Sequence, residues 1–322
     1  MDAELAAALD GMPYVGLADP VKARSAMRDL VAALEVPGPA APAEVEDRTI
    51  PGPPGAPPVP VRVYRPRGAG EAVPVLVYFH GGGFVTGGPE NEHGRCLDFA
   101  ADGIAVVSVG YRLAPEHRFP AGFEDCYAAT VWAHEHAGEF GGDPRRVAVG
   151  GGSAGGALAA AVALRARDEH GPPLVFQMLL YPVLDDRMDT PSMRAFTEPP
   201  LFNRTDVEHM WRHYLGGRAD VPAYAAPARA AGLSGLPPAY ILVAEFDPLR
   251  DEDLAFAHRL IISGVSTEVH HVPGACHGFD GVMTARLGRL AFEEQRAVLR
   301  RALFGACPGA SPGRWTVQSL SD

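Results

Sequence analysis

The feature that most constrains this chain is an alternation that begins at residue 73. Six short runs rich in β-branched and other apolar residues lie at 73–80 (VPVLVYFH), 103–110 (GIAVVSVG), 146–150 (RVAVG), 175–181 (VFQMLLY), 239–245 (AYILVAE) and 267–272 (TEVHHV). Helical stretches separate them, at about 92–101, 121–138, 154–168, 249–263 and 286–303. Most of the runs are almost continuously apolar, as strands covered on both faces are. Strand and helix in alternation predict an α/β fold with a mostly parallel sheet and helices on both faces.

Ahead of this core, residues 2–10 and 20–34 read as helices, the second with Asp19 as N-cap and Pro20 in the first helical position. Nine prolines between 37 and 60 exclude helix there, so two short strands, about 43–50 and 59–65, are expected to flank a proline-rich turn. The interval 185–235 is too long for a plain connection and holds its own helical piece, 205–215. The expected organisation is therefore N-terminal helices and linker over 1–42 and a core over 43–184 and 236–306. A cap insert fills 185–235, and a tail of unassigned role fills 307–322.

A chain of 322 residues that is 47% hydrophobic and 21% charged fits one large α/β domain with additions. Its formal net charge of -11 argues against nonspecific binding to nucleic acid or acidic lipid. No apolar run approaches the roughly 20 residues of a membrane helix. The first cation is Lys22, so the start lacks the basic region of a secretion signal. Four cysteines at unpaired spacings, Cys96, Cys126, Cys276 and Cys307, fit a reducing compartment, and a cytoplasmic protein is expected.

The chemistry centres on GGGSAGGALAAAVAL (150–164), where Ser153 sits between a strand and a helix inside G-x-S-x-G. So tight a turn strains the serine and brings backbones close together, and glycines on either side relieve both problems. The hydroxyl then projects above the sheet, with helix N–H groups beside it. A second glycine run, HGGGF (80–84), follows the strand VLVYFH and belongs at the same sheet edge. Gly82 and Gly83, with the N–H of Ala154, are candidate donors to an oxyanion. His80 precedes the serine and stands at a strand end, which suits ordering the loop better than proton transfer.

A serine nucleophile needs a base, and the base needs an acid that fixes its tautomer. In this architecture the chain order is serine, acid, histidine. Asp247 directly follows the strand AYILVAE and is the expected acid. Asp251, Glu252 and Asp253 fall within the next helix, where a solvated face is expected. His270 and His271 lie in the last strand, one expected to face the core and the other the opposite layer. His277, in a loop beyond that strand, is the expected base.

HGGGF, YRLAPEHRFPA (111–121), GGSAGG (151–156), YPVLD (181–185), LSGLPPA (233–239), EFDPLRDE (245–252) and HGF (277–279) together resemble the hormone-sensitive lipase family of α/β-hydrolases, the bacterial carboxylesterases with an HGGG loop. The similarity spans about residues 43–303. It implies an eight-stranded, mostly parallel sheet with an antiparallel second strand, and a cap made of the N-terminal helices and the insert. The chain departs from the family where Gly152 stands in place of the usual Asp or Thr, and where Gly110 stands in place of Asp.

The implied activity is serine carboxylic ester hydrolysis through an acyl-enzyme, on short-to-medium acyl esters and without cofactor or metal. An amidase, lactonase or natural-product tailoring hydrolase with the same triad is the alternative. A noncatalytic ligand receptor on the same fold is a remoter one, since such proteins typically lose a triad member. Phe84, Phe202, Trp211, Tyr214 and Phe279 are candidate pocket residues. His209 and His213 stand four apart on a helix, but Met210 replaces the Glu of a metalloprotease motif and no third ligand is evident. The expected partner is a small ester. A homodimer is compatible with the chain.

Overall fold

The computed structural model describes residues 1–33, 43–68, 72–198 and 200–305; the expected tail at 307–322 and the end of the linker lie outside them. Eight strands form one sheet: β1 (Ala43–Ile50), β2 (Val59–Pro66), β3 (Val73–Phe79), β4 (Ala105–Val109), β5 (Gly142–Gly152), β6 (Leu174–Leu180), β7 (Ala239–Phe246) and β8 (Thr267–Cys276). Their order is β1-β2-β4-β3-β5-β6-β7-β8. β1 and β2 form an antiparallel pair, β2 runs antiparallel to β4, and every later pairing is parallel. The expected eight strands and the antiparallel β2 are both present.

Side chains alternate between two buried layers, as the two-residue period of a strand requires. Val75, Val77, Val107, Val149, Leu179 and Ile241 enter one layer, covered by α4 (Ala121–Glu135), α5 (Ala154–Asp168) and α8 (Arg250–Ile262). Leu76, Val106, Ala148, Met178 and Leu242 enter the other, covered by α3 (His93–Ala101) and α9 (Arg286–Phe304). α5 is buried almost all round and made largely of alanine and glycine, so it lies close on the sheet. At Gly155 the approach is extreme: a Cβ there would stand 1.9 Å from the Phe79 carbonyl oxygen.

Three elements depart from their expected bounds, and β5 is one of them, running over Gly142–Gly152 rather than 146–150. The helix expected to reach 138 stops at Glu135 and passes through a 3-10 turn, Ala137–Phe140, to Gly141 in the left-handed region (φ 76°). β8 continues past 272 to Cys276 through a register shift opposite Ala244 and Phe246. Because β8 is the sheet edge, His270 is partly exposed and His271 exposed, so neither enters a core as expected.

The N-terminal segment divides between the layers. α1 (Ala3–Leu9) buries Leu5 and Leu9 in the layer of α9, while Leu17 and Ala23 join the opposite one. α2 (Pro20–Ala33) starts at Asp19, whose side chain accepts from the N–H groups of Val21 and Lys22. The insert contributes α6 (Pro191–Ala195) and α7 (Arg204–Leu215).

Candidate active site

Ser153 stands between β5 and α5 with φ 56° and ψ -118°, a conformation that L-residues rarely adopt. Strain of this size persists only where the surroundings dictate it. Here the Ser153 N–H donates to Leu180 O (2.8 Å), and its carbonyl accepts from Ala157 and Val183. His277 follows the last residue of β8, and Asp247 follows the last residue of β7. His277 Nε2 lies 2.9 Å from Ser153 Oγ, and His277 Nδ1 lies 2.7 Å from Asp247 Oδ2. Asp247 Oδ1 accepts from the Leu249 N–H at 2.9 Å. All three side chains are buried, Asp247 completely. The Nδ1 proton is thus directed at the carboxylate, leaving Nε2 to accept from the serine hydroxyl.

The loop after β3 faces this chain of hydrogen bonds. Gly82 has φ +114°, and a Cβ on it would stand 2.2 Å from the Thr86 carbonyl oxygen, so only glycine fits. The Gly82 carbonyl accepts from Val85 and Thr86, closing a tight turn. His80 is buried beneath it, stacked on Tyr111 with ring centroids 4.1 Å apart. Burial lowers its pKa to about 4. The neutral ring places Nδ1 2.7 Å from Gly81 O, and the Tyr111 hydroxyl donates to His80 O. His80 therefore holds the loop, as expected.

A cavity of about 320 Å³ opens above Ser153 and His277, bordered on the loop side by Gly81, Gly82 and Gly83. Met12, Val15, Leu17 and Met27 border it from the N-terminal segment, and Leu201 and Phe202 from the insert. Asp206 ties these two regions together. One of its oxygens accepts from Tyr14 Oη at 2.6 Å and the other from the Leu17 N–H at 3.2 Å. Burial, with the neighbouring carboxylate, pushes the Tyr14 hydroxyl up to about 12. His213 Nε2, 3.1 Å from Leu17 O, adds to the same junction, which accounts for one histidine of the 209/213 pair.

A family model described as alpha/beta hydrolase fold matches residues 76–281. The chain belongs to this family. Esterase LipI of Mycobacterium tuberculosis is 42% identical over 293 residues, 87% of this chain and 88% of LipI. Carboxylic ester hydrolase LipN of the same species is 45% identical, over 81% of this chain and 70% of LipN. Among solved structures, Bacterial Heroin Esterase superimposes with a TM-score of 0.89 at 44% identity, covering 94% of this chain and 98% of that one. The resemblance to the hormone-sensitive lipase family is borne out.

Of the five aromatic residues expected in this hydrolase's pocket, only Phe202 borders the cavity. Phe84 turns beneath the loop and stacks on Tyr214 at 3.8 Å, with Trp211 beside both. These three join the layer of α5 and α8, and Phe279 is buried in the opposite layer. Their burial is core packing, the ordinary use of large aromatic side chains.

The expectation of a solvated face at 251–253 is also corrected. Glu252 and Asp253 are buried. Glu252 Oε1 accepts from the N–H groups of Leu184 (2.8 Å) and Asp185 (3.1 Å), where the insert begins. Asp251 Oδ2 accepts from the Ser192 N–H at 2.7 Å, and Ser192 Oγ donates to Pro248 O. The first turn of α8 thus clasps the insert to the loop carrying Asp247. Burial raises the Glu252 pKa well above its ordinary value, reinforced by the Asp185 and Asp247 carboxylates. No single residue type signals such a clasp; only the fold brings 184, 192 and 252 together.

Proposed function

We propose that the protein is a serine carboxylic ester hydrolase in which Ser153 is the nucleophile, His277 the base and Asp247 the acid. Ser153 Oγ attacks the ester carbonyl while His277 Nε2 takes its proton, and Asp247 orients the ring and stabilises the imidazolium. The N–H groups of Gly82, Gly83 and Ala154 receive the oxyanion. His277 then protonates the departing alcohol. Water attacks the acyl-enzyme by the same route and releases the acid and free Ser153.

The observation that carries this reading is the unbroken hydrogen-bonded chain from Ser153 Oγ through His277 to Asp247 at the floor of the cavity. The names of LipI and LipN, an esterase and a carboxylic ester hydrolase, support the ester as substrate. A cavity of about 320 Å³, at the small end of ligand pockets, supports acyl chains of about two to eight carbons. A cytoplasmic location is consistent with Cys96, Cys126 and Cys276, all buried and unpaired. No helix among the described residues is long and apolar enough to cross a membrane.

The test is hydrolysis of p-nitrophenyl esters of graded chain length beside matched amides and lactones. Esters of short chains should turn over fastest. Ser153→Ala should lower kcat about 10⁶-fold, as removal of a triad serine does, and abolish labelling by a serine-directed phosphonate. Substantial turnover in that variant, or label on another residue, would remove Ser153 from the role.

A further inference from the structure

The His277 ring is held by more than its two hydrogen bonds. Phe202 stacks on it with centroids 4.5 Å apart and planes 29° apart. Tyr181 meets it at 4.7 Å and 61°. The two rings come from different parts of the chain: Tyr181 directly follows β6, and Phe202 stands in the insert two residues before α7.

The Tyr181 ring is fixed by contacts that do not involve His277. Tyr181 lies in the left-handed region with φ 36°, an outlier for an aromatic residue. Its hydroxyl donates to Asp280 Oδ1. Asp280 Oδ2 accepts from Gln295 Nε2 at 2.7 Å and from Arg95 at 3.0 Å, and Arg95 Nε donates to Glu92 at 3.0 Å. Arg95 also donates to Gln295 Oε1. These groups satisfy one another, so although several border the cavity they are suited to holding Tyr181 rather than to binding a ligand. Gly152 belongs to the same arrangement. A Cβ there would stand 3.4 Å from the Tyr181 hydroxyl, an ordinary contact, so this position lies directly against the ring's polar end. Phe202 adjoins Asn203, whose side chain caps α7 in a capping box with Asp206.

We propose that Phe202 and Tyr181 are positioning residues that clamp the His277 imidazole in line between Asp247 and Ser153 and favour it while it carries the proton. This rests on the reading of His277 as the base. A ring free to swing loses the alignment that makes proton transfer effective. The π electrons of a stacked aromatic attract a cation, more strongly where water is excluded. Neutral imidazole gains less from that attraction, so the gain falls on the transition state and appears in kcat.

Phe202 also borders the cavity, and the experiment separates the two roles. Phe202→Leu keeps an apolar wall and removes the ring; Phe202→Tyr keeps the ring. For p-nitrophenyl acetate, butyrate and hexanoate alike, the leucine variant should lose about 3- to 30-fold in kcat, with KM within about twofold of the parent. The tyrosine variant should recover most of that loss. In the unliganded protein, the downfield proton resonance of His277 Nδ1–H should be sharp in the parent and in Phe202→Tyr, and broadened in Phe202→Leu. That signal needs no substrate, so it reads the clamp even if the protein proves to hydrolyse something other than esters. If the leucine variant melts earlier than the parent, Phe202→Met repeats the comparison. Unchanged kcat, a loss confined to KM or to one chain length, or a tyrosine variant no better than leucine would overturn the proposal.

Discussion

On one side of the His277 ring stands Ser153, placed almost entirely by backbone. Its strained φ is a main-chain feature, and the close packing of Gly155 on Phe79 and the left-handed turn at Gly82 tolerate no side chain. On the other side stands Asp247, placed among side chains. Asp251 and Glu252 clasp the insert, while Tyr181, Asp280 and Gln295 brace the loop after His277. The two halves are therefore vulnerable to different changes. In the backbone half, adding atoms does the damage. In the side-chain half, the damage comes from changing a charge or a hydrogen-bonding atom while leaving volume alone.

The largest effect in that comparison is expected from an isosteric change. Asp247→Asn keeps the shape of the acid and changes what it offers Nδ1 of His277. Kinetics with a p-nitrophenyl ester should show kcat about 10⁴-fold lower, with circular dichroism unchanged, because the wrong imidazole tautomer is favoured. A loss under tenfold would mean that the burial and stacking around His277 hold the tautomer without the acid, and the side-chain half would depend less on charge than its contacts imply.

The matching test of the backbone half adds a single methyl group. Gly82→Ala drives a Cβ into the Thr86 carbonyl at a φ of +114°, so the loop must move and carry its N–H groups away from the proposed oxyanion position. Loss of one such donor is worth about 10²–10³ in rate. We expect kcat to fall by that amount, with KM and the circular dichroism spectrum close to the parent's. Near-parental kcat in a folded variant would show that the donors lie elsewhere.

The same division decides what the sequence could reveal. Glycine at fixed offsets from a strand end is a local signal, so the Ser153 elbow and the 80–84 loop could be read along with the sheet they interrupt. Asp247 and His277 were legible because each directly follows a strand. The sequence at 251–253 suggests a solvated face, because acidic residues in the first turn of a helix usually are one. Nothing nearby in the chain says that residues 184–192 fold back over them. Among the aromatic residues, composition could nominate Phe84, Trp211, Tyr214 and Phe279 for a pocket. Only the packing of α7 and α9 decides that their rings point into the core. The strand pattern misplaces His270 for a related reason: strand order, not strand pattern, makes β8 an edge.

The smallest expected effect is on stability and comes from Asp253, which lies in the side-chain half yet finds no partner among the described residues. It is fully buried, and neither carboxylate oxygen accepts a hydrogen bond from any of them. Burial raises its pKa well above the ordinary value, with the Glu252 and Asp247 carboxylates adding to the shift. The sign of the consequence follows from proton linkage. Below the ordinary pKa, near 4, folded and unfolded chains are both protonated at this site, and the shift costs nothing. As pH rises above that value the unfolded chain releases the proton while the folded one keeps it, so stability falls until the raised pKa is reached. Asp253→Asn keeps the shape and cannot ionise. The difference in melting temperature, asparagine variant minus parent, should therefore be near zero at pH 4 and grow to about 1–4 °C by pH 7.5. Calorimetry across that range measures it, and kcat should stay at the parental value because Asp253 touches none of the reacting groups. A difference that favours the parent at pH 7.5 would mean that Asp253 is ionised and held by a partner, and one independent of pH would mean that folding leaves its carboxyl as acidic as in the unfolded chain.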